Sequence, residues 1–292
     1  MVGLFRPREY FKPRTIDEAI SLLAEYGEKA KVIAGGTDLL VEKPPDSEYL
    51  IDIAALPLDY IKEDGKGVKI GALTTFDGIE KSAVLQEGAL GVLAETARDF
   101  GHRNIRNLAT IGGNLCSAVP SADSPPPLIA LDSDAVITGP SGEREVPFEG
   151  FFVHVRRTVL EGDELLKEIR VPSPPPRTGT AFLKIGRTRV DIALVNVAVR
   201  IGLGKAGVCE DARIVLGAVA PTPIRARGAE GLLDGAKYDE GIFEKAAELA
   251  SRETKPISDV RCSAEYRREA SRVLVKRAIE RAWRRAKEGA EG

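Results

Sequence analysis

The stretch Gly202-Leu-Gly-Lys-Ala-Gly207 decides the fold, because it matches the GxGxxG fingerprint of a dinucleotide-binding βαβ unit and comes after an apolar run at residues 192–201. In that unit the glycine turn must open a helix, whose N-terminus meets the pyrophosphate. The next residues here are Val208-Cys-Glu-Asp-Ala-Arg-Ile-Val-Leu-Gly-Ala-Val219, in which polar and apolar residues alternate as in a strand. The glycines therefore read as a hairpin turn between strands at 192–201 and 211–219, and the βαβ reading is rejected.

Outward from this hairpin, two helical regions come next, at 239–253 and 263–287. In the second, Tyr266, Ala270, Leu274, Ala278 and Ala282 recur at helical steps. On the N-terminal side, Pro172-Ser-Pro-Pro-Pro-Arg-Thr-Gly179 is the best linker, since proline and glycine punctuate regular elements. Before it come short strands at 31–34, 49–53, 68–72, 135–138 and 165–171. Thr15-Ile-Asp-Glu18 is a capping box opening a helix with Ala19, Ile20, Leu22 and Leu23 at helical spacing. Thr75 is placed to cap a second helix, and a third covers 89–100. The fold class is α+β, with a larger N-terminal domain over residues 1–175 and a smaller C-terminal domain of antiparallel strands and helices over 180–292.

The length of 292 residues suits two domains, and 43% hydrophobic with 29% charged residues suits a packed core. The net charge of −2 comes from interleaved acids and bases, which speaks against a nucleic-acid partner. The N-terminal Met1-Val-Gly-Leu-Phe-Arg-Pro7 lacks the features of a signal peptide, and no apolar run approaches ~18 residues, so no membrane span is expected and cytoplasm is the expected compartment. Cys116, Cys209 and Cys262 are dispersed, without the clustered thiolates of zinc or iron–sulfur sites. Neither His102 nor His154 has a nearby ligand partner in sequence, so no metal site is expected.

Two segments carry the chemistry. Val32-Ile-Ala-Gly-Gly-Thr-Asp-Leu39 and Thr110-Ile-Gly-Gly-Asn114 both read as a strand, a glycine pair and a small polar residue. Consecutive glycines expose backbone N–H groups and permit positive φ, so such a loop can cradle a phosphate. Two facing loops would suit the two charges of a pyrophosphate, with Thr37 and Asn114 adding side-chain donors. Each loop is also what an ordinary turn looks like, and spacing leaves both readings open.

With both loops and the turn Pro120-Ser-Ala-Asp-Ser-Pro-Pro-Pro127 in view, the chain resembles the FAD-binding subunit of the xanthine dehydrogenase and aerobic carbon monoxide dehydrogenase group. The resemblance runs from Phe11-Lys-Pro-Arg-Thr-Ile-Asp-Glu-Ala19 through Lys184-Ile-Gly-Arg-Thr-Arg-Val-Asp-Ile-Ala193 to Cys262-Ser-Ala-Glu-Tyr-Arg-Arg268. It implies a two-part FAD-binding domain of the vanillyl-alcohol-oxidase (PCMH) type, followed by a small C-terminal domain. It implies that Val32, Ile33, Ala34, Gly35, Gly36, Thr37, Asp38 and Leu39, with Thr110, Ile111, Gly112, Gly113 and Asn114, wrap the pyrophosphate and adjoining FAD. Phe100 would lie near the cofactor, Asp123 accept from its hydroxyls, Leu166 touch the adenine region and Lys184 sit beside the flavin. Arg187 and Asp191 match the family pattern without an assigned contact, and no catalytic residue is assigned.

The resemblance further implies a molybdopterin-binding large subunit and a 2Fe–2S small subunit as partners, assembled as a dimer of heterotrimers. Molybdopterin and 2Fe–2S centres would sit only on those partners, and electrons would leave through FAD to NAD⁺, dioxygen or a quinone. Thr37 stands where some relatives carry His, so the FAD is expected to be non-covalent. Read without the family, Asp123 is an N-cap candidate, Lys184 a solvated strand residue, and Phe100 and Leu166 ordinary core. Two rival functions stay open: a stand-alone flavin oxidase of the same wider fold, and a non-catalytic nucleotide-binding scaffold.

Overall fold

The computed structural model describes residues 6–289; Met1 to Phe5, part of the stretch read for a signal peptide, lie outside the described residues. Three sheets carry the architecture. The first has three parallel strands in the order Glu9–Phe11, Tyr49–Asp52, Ala30–Ile33. Helix Ile16–Tyr26 covers it, burying Ala19, Ile20 and Leu23 in the same core as Ile51, Ile53 and Leu56. Thr15 caps that helix by accepting from the Glu18 N–H at 3.1 Å, while Glu18 reaches back to the Arg14 N–H at 2.7 Å, one residue beyond the usual capping-box target.

The second sheet has five antiparallel strands in the order Ile61–Glu63, Gly67–Gly71, Leu165–Pro172, Asp134–Gly139, Gly142–Pro147. Strand Leu165–Pro172 returns from late in the domain to lie at the centre, between strands almost a hundred residues earlier and some thirty earlier. The helices in between, Phe76–Lys81, Gly91–Asp99, Ile111–Ser117 and Pro125–Ala130, pack Phe76, Leu115 and Leu128 against Ile70, Ile137 and Ile169 of the sheet. Thr75 caps the first of them, accepting from the Gly78 N–H at 3.1 Å.

The third sheet is antiparallel, in the order Thr178–Ile185, Val195–Leu203, Cys209–Gly217, Ile224–Arg225. Helices Arg227–Leu233, Glu240–Glu253 and Ala264–Glu288 cover one face. The opposite face inserts Phe182, Ala198 and Val215 into the core of the second sheet. Strand Val195–Leu203 is thus buried on both sides, which is why Val-Asn-Val-Ala-Val-Arg-Ile-Gly-Leu runs apolar with only two large polar side chains. The architecture is α+β. At the glycine fingerprint, Gly204 N–H donates to Val208 O at 2.8 Å and the chain turns straight into strand Cys209–Gly217, so the hairpin reading holds.

Two elements differ from expectation. Strand Thr178–Ile185 begins inside the stretch read as linker, because its pairing with Val195–Leu203 overrides a proline-rich approach that signals only a turn. Residues 111–117 form a helix where the sequence suggested a strand running into a loop; Thr110 makes a single bridge to Thr75 and then caps that helix.

Candidate cofactor-binding cleft

Strand Ala30–Ile33 delivers its C-terminal end to a cleft of about 490 Å³ between the first and second sheets. Gly35 is forced by close approach: a Cβ there would lie 1.8 Å from Leu108 O. Gly36 is forced by conformation, with φ of +69°. Among the described residues, the N–H groups of Gly35, Gly36, Thr37, Asp38 and Leu39 donate to no acceptor on the chain. Leu39 opens the short helix Leu39–Glu42, whose first amides have no partner within the helix, so this half-buried run of five donors is left open to an acceptor from outside the chain.

The second glycine segment is built oppositely. Ile111 N–H donates to Thr74 O at 2.9 Å, Gly112 N–H to Ala72 O at 2.9 Å and Asn114 N–H to Thr110 O at 3.0 Å. Gly113 N–H donates to Thr110 Oγ1 at 3.1 Å. Every amide from Ile111 to Asn114 is used, so this segment does not form the second nest that its sequence suggested. Gly112 is present because a Cβ would come within 2.6 Å of Ala72 O. What this segment offers the cleft is a wall and the Asn114 side chain. Asn114 Oδ1 accepts from Ser124 Oγ at 2.6 Å and from the Ser124 N–H at 3.4 Å, which leaves its Nδ2 without an acceptor among the described residues.

The two segments are tied together. Ser117 Oγ donates to Asp38 Oδ2 at 2.7 Å, and Gly35 packs directly on the Leu108 backbone. Phe100 lines the cleft and stacks on Phe76 with ring centroids 3.7 Å apart. Leu166 also lines it, from the second sheet. Of the residues expected to hold a cofactor, all but Ile111, Asp123 and Lys184 line this cleft. Ile111 points into the core of the second sheet.

Asp123 and Lys184 lie outside the cleft lining, paired with each other. Lys184 Nζ lies 2.5 Å from Asp123 Oδ2 and also donates to Asp99 O at 3.2 Å. Both side chains are buried, 6% and 4% exposed, so they form an ion pair inside the protein. Asn196 Nδ2 donates to Asp123 Oδ1 at 2.8 Å, and Asn196 stands directly opposite Lys184 on the neighbouring strand. The third sheet thereby grips Asp123 with two adjacent side chains. Burial raises the Asp123 carboxyl above its ordinary range, against the lowering pull of the Lys184 ammonium and the Asn196 amide. The N-cap of helix Pro125–Ala130 is Ser124, so Asp123 is not the cap that its position before the prolines suggested.

Sequence reasoning missed Arg156, Glu42, Ser117 and Glu164, all of which line the cleft. Arg156 adopts a positive φ of 59°, its N–H donates to Ala118 O at 2.8 Å, and its side chain pairs with Glu42. Glu164 is held by a bidentate pair with Arg144 at 2.8 and 2.7 Å, which lowers its pKa. No local motif announces Arg156 or Glu164; both reach the cleft only because the strand Leu165–Pro172 and the hairpin before it fold back.

The cleft and the sheets around it define a class. Residues 5–174 match the family described as FAD binding domain in molybdopterin dehydrogenase, and residues 180–282 match the CO dehydrogenase flavoprotein C-terminal domain. The chain belongs to this family of molybdopterin-dehydrogenase flavoproteins. It is 37% identical to the carbon monoxide dehydrogenase medium chain of Hydrogenophaga pseudoflava, over 95% of this chain and 97% of that one. It is 32% identical to the xanthine dehydrogenase FAD-binding subunit of Escherichia coli O157:H7, over 96% and 97%. Its structure is similar to a chain of the Hydrogenophaga pseudoflava carbon monoxide dehydrogenase, with a TM-score of 0.93, 37% identity and coverage of 96% and 98%. A chain of quinoline 2-oxidoreductase from Pseudomonas putida 86 is similar at a TM-score of 0.90 and 28% identity, with coverage of 99% and 100%.

Among the described residues no helix is long and apolar enough to cross a membrane, and no group of three or more His, Cys, Asp or Glu is placed to hold a metal ion.

Proposed function

We propose that this chain is the FAD-binding oxidoreductase subunit of a molybdenum hydroxylase complex, passing electrons from 2Fe–2S clusters on a partner to an external acceptor. The observation that carries the reading is the run of five unpaired amides at Gly35–Leu39, opening into a cleft whose other walls come from the second glycine segment, Phe100 and Leu166. A pyrophosphate supplies the anionic oxygens that such a run of donors lacks.

The chain's own residues divide the work. The Gly35–Leu39 amides hold phosphate, and Asn114 Nδ2 adds a donor whose direction is set by Ser124. Val32, Ile33, Ala34, Leu39, Gly112, Gly113 and Thr110 supply the walls, and Phe100, braced by Phe76, closes one side against water. The Asp123–Lys184–Asn196 group ties the third sheet to the FAD-binding unit. Bound flavin supplies the chemistry, exchanging electrons singly or in pairs. Thr37 stands in the first loop and cannot form a covalent flavin link, and the one cysteine lining the cleft, Cys116, follows the second glycine segment, so the attachment is read as non-covalent. The FAD-binding unit is assigned to residues 1–175 and the C-terminal unit to 180–292. A molybdopterin-binding large subunit and a 2Fe–2S small subunit are the proposed partners, since the relatives bear names such as medium chain and FAD-binding subunit.

An absorption spectrum of the purified chain with FAD, followed by acid precipitation, tests the reading. Flavin bands whose chromophore is released intact by acid are expected. Folded protein that takes up no flavin at micromolar FAD overturns it, and flavin retained in the acid pellet overturns the non-covalent attachment.

A further inference from the structure

A second concavity lies beside the Phe100–Gly101 segment, lined by Glu80, Arg98, Gly101, His102, Arg106 and Arg189 with Val190. Its three arginines arrive from three separate segments: the end of helix Gly91–Asp99, the short helix Arg103–Arg106, and the turn after strand Thr178–Ile185. Convergence of like charges from separate segments is unfavourable unless an anion offsets it.

Only one carboxylate in the lining opposes them. Glu80 lies 3.0 Å from Arg106 Nε and 3.7 Å from Arg98 Nε. Arg106 Nη1 is also turned onto the backbone carbonyls of Gly101 and Phe100, at 3.2 and 3.4 Å, so this arginine is anchored and shapes the floor. Arg98 is held loosely and its side chain is 56% exposed. Arg189 makes no ion pair or hydrogen bond among the described residues, whereas its neighbour Arg187 is paired with Asp191 at 3.1 Å. The lining thus holds three positive charges against one negative, a surplus of two with His102 neutral.

We infer that this concavity is an oxyanion site for a phosphate-class dianion, recognised by the forked donors of Arg98 and Arg189 over the Arg106 floor. A surplus of two matches a dianion, and guanidinium forks match the oxygens of a tetrahedral phosphate better than a single ammonium would. A monocarboxylate would leave one charge unbalanced. The same chemistry is offered by free phosphate or pyrophosphate and by the phosphates of a nucleotide. Because Gly101 comes directly after Phe100, which lines the cleft, the ligand would stand near the proposed cofactor site without sharing its phosphate nest. The inference does not depend on which cofactor fills the cleft.

Titration of the full chain, saturated with FAD, by inorganic phosphate, pyrophosphate and ADP in a calorimeter at low and moderate salt tests the site. Binding of at least one of the three is expected, with Arg189→Ala and Arg98→Ala each weakening it about tenfold or more, as loss of a charged hydrogen bond to phosphate should. Arg252→Ala, a remote exposed arginine, should leave it unchanged. ADP binding tighter than pyrophosphate assigns the site to a nucleotide phosphate, and equal or weaker ADP binding assigns it to the free oxyanion. No binding of any probe, or equal weakening by Arg252→Ala, overturns the inference. Flavin absorbance recorded on the same samples separates its failure from that of the cofactor reading, since neither Arg98 nor Arg189 lines the cleft.

Discussion

The two glycine segments look alike in sequence, yet their backbone amides are paired in opposite ways. In the first, five amides from Gly35 to Leu39 have no partner among the described residues; in the second, every amide from Ile111 to Asn114 has one. Both use a glycine for close packing, Gly35 against Leu108 and Gly112 against Ala72. The difference lies in the backbone surroundings of the glycines. After Gly36 the chain makes a single helical turn, Leu39–Glu42, and no neighbouring carbonyl reaches the preceding amides. At Thr110 the chain is docked on the Ala72–Thr74 backbone, which takes the Ile111 and Gly112 donors, while Thr110 itself takes those of Gly113 and Asn114. A Gly-Gly pair is therefore permission for an anion site, and local backbone pairing decides whether the permission is used.

The comparison can be broken most severely from outside both segments. Lys184→Met leaves the Asp123 carboxylate buried without its cation and should destabilise the protein by about 3–5 kcal/mol in urea unfolding, with or without FAD. Next in size, FAD at a hundredfold excess over its Kd should stabilise the wild type by about 2.7 kcal/mol, read from the same unfolding midpoint. Gly36→Ala, which puts a Cβ on a left-handed backbone inside the nest, should lose most of that increment while costing about 1–2 kcal/mol in the FAD-free protein. Gly112→Ala should behave the other way, losing about 1–3 kcal/mol of stability from the clash with Ala72 yet keeping the FAD increment. If both glycine variants lose the increment equally, the division between nest and wall is wrong. The smallest effect is Thr110→Ala, which removes the acceptor of the Gly113 N–H and should cost about 1 kcal/mol without altering flavin uptake per folded molecule.

Much of the candidate site was legible from residue order. The first loop and Asn114, singled out by the glycine pattern, and Phe100 and Leu166, singled out through the family resemblance, line one cleft. Asp123 and Lys184 were expected beside the cofactor as separate contacts, whereas the structure joins them to each other and to Asn196. Asn196 carries no sequence signal, because a lone Asn in an apolar strand reads as a solvated interruption. Only the cross-strand register, with Asn196 opposite Lys184, shows that it completes a buried polar group. Arg156 and Glu164 were invisible for a related reason: they come to the cleft ahead of a return strand whose partners lie far away in the chain.

The sequence by itself determined the helix starts at Thr15, Thr75, Asp239 and Ser263, and the hairpin at residues 202–207. These depend on interactions within a few residues, where side-chain chemistry acts directly on the nearby backbone. Tertiary structure alone decided which amides stay free, which face of strand Val195–Leu203 meets which core, and where the charges of Asp123 and Lys184 are neutralised. Those outcomes depend on partners distant in the chain, and a linear pattern does not encode which distant carbonyl or carboxylate will arrive within hydrogen-bonding reach.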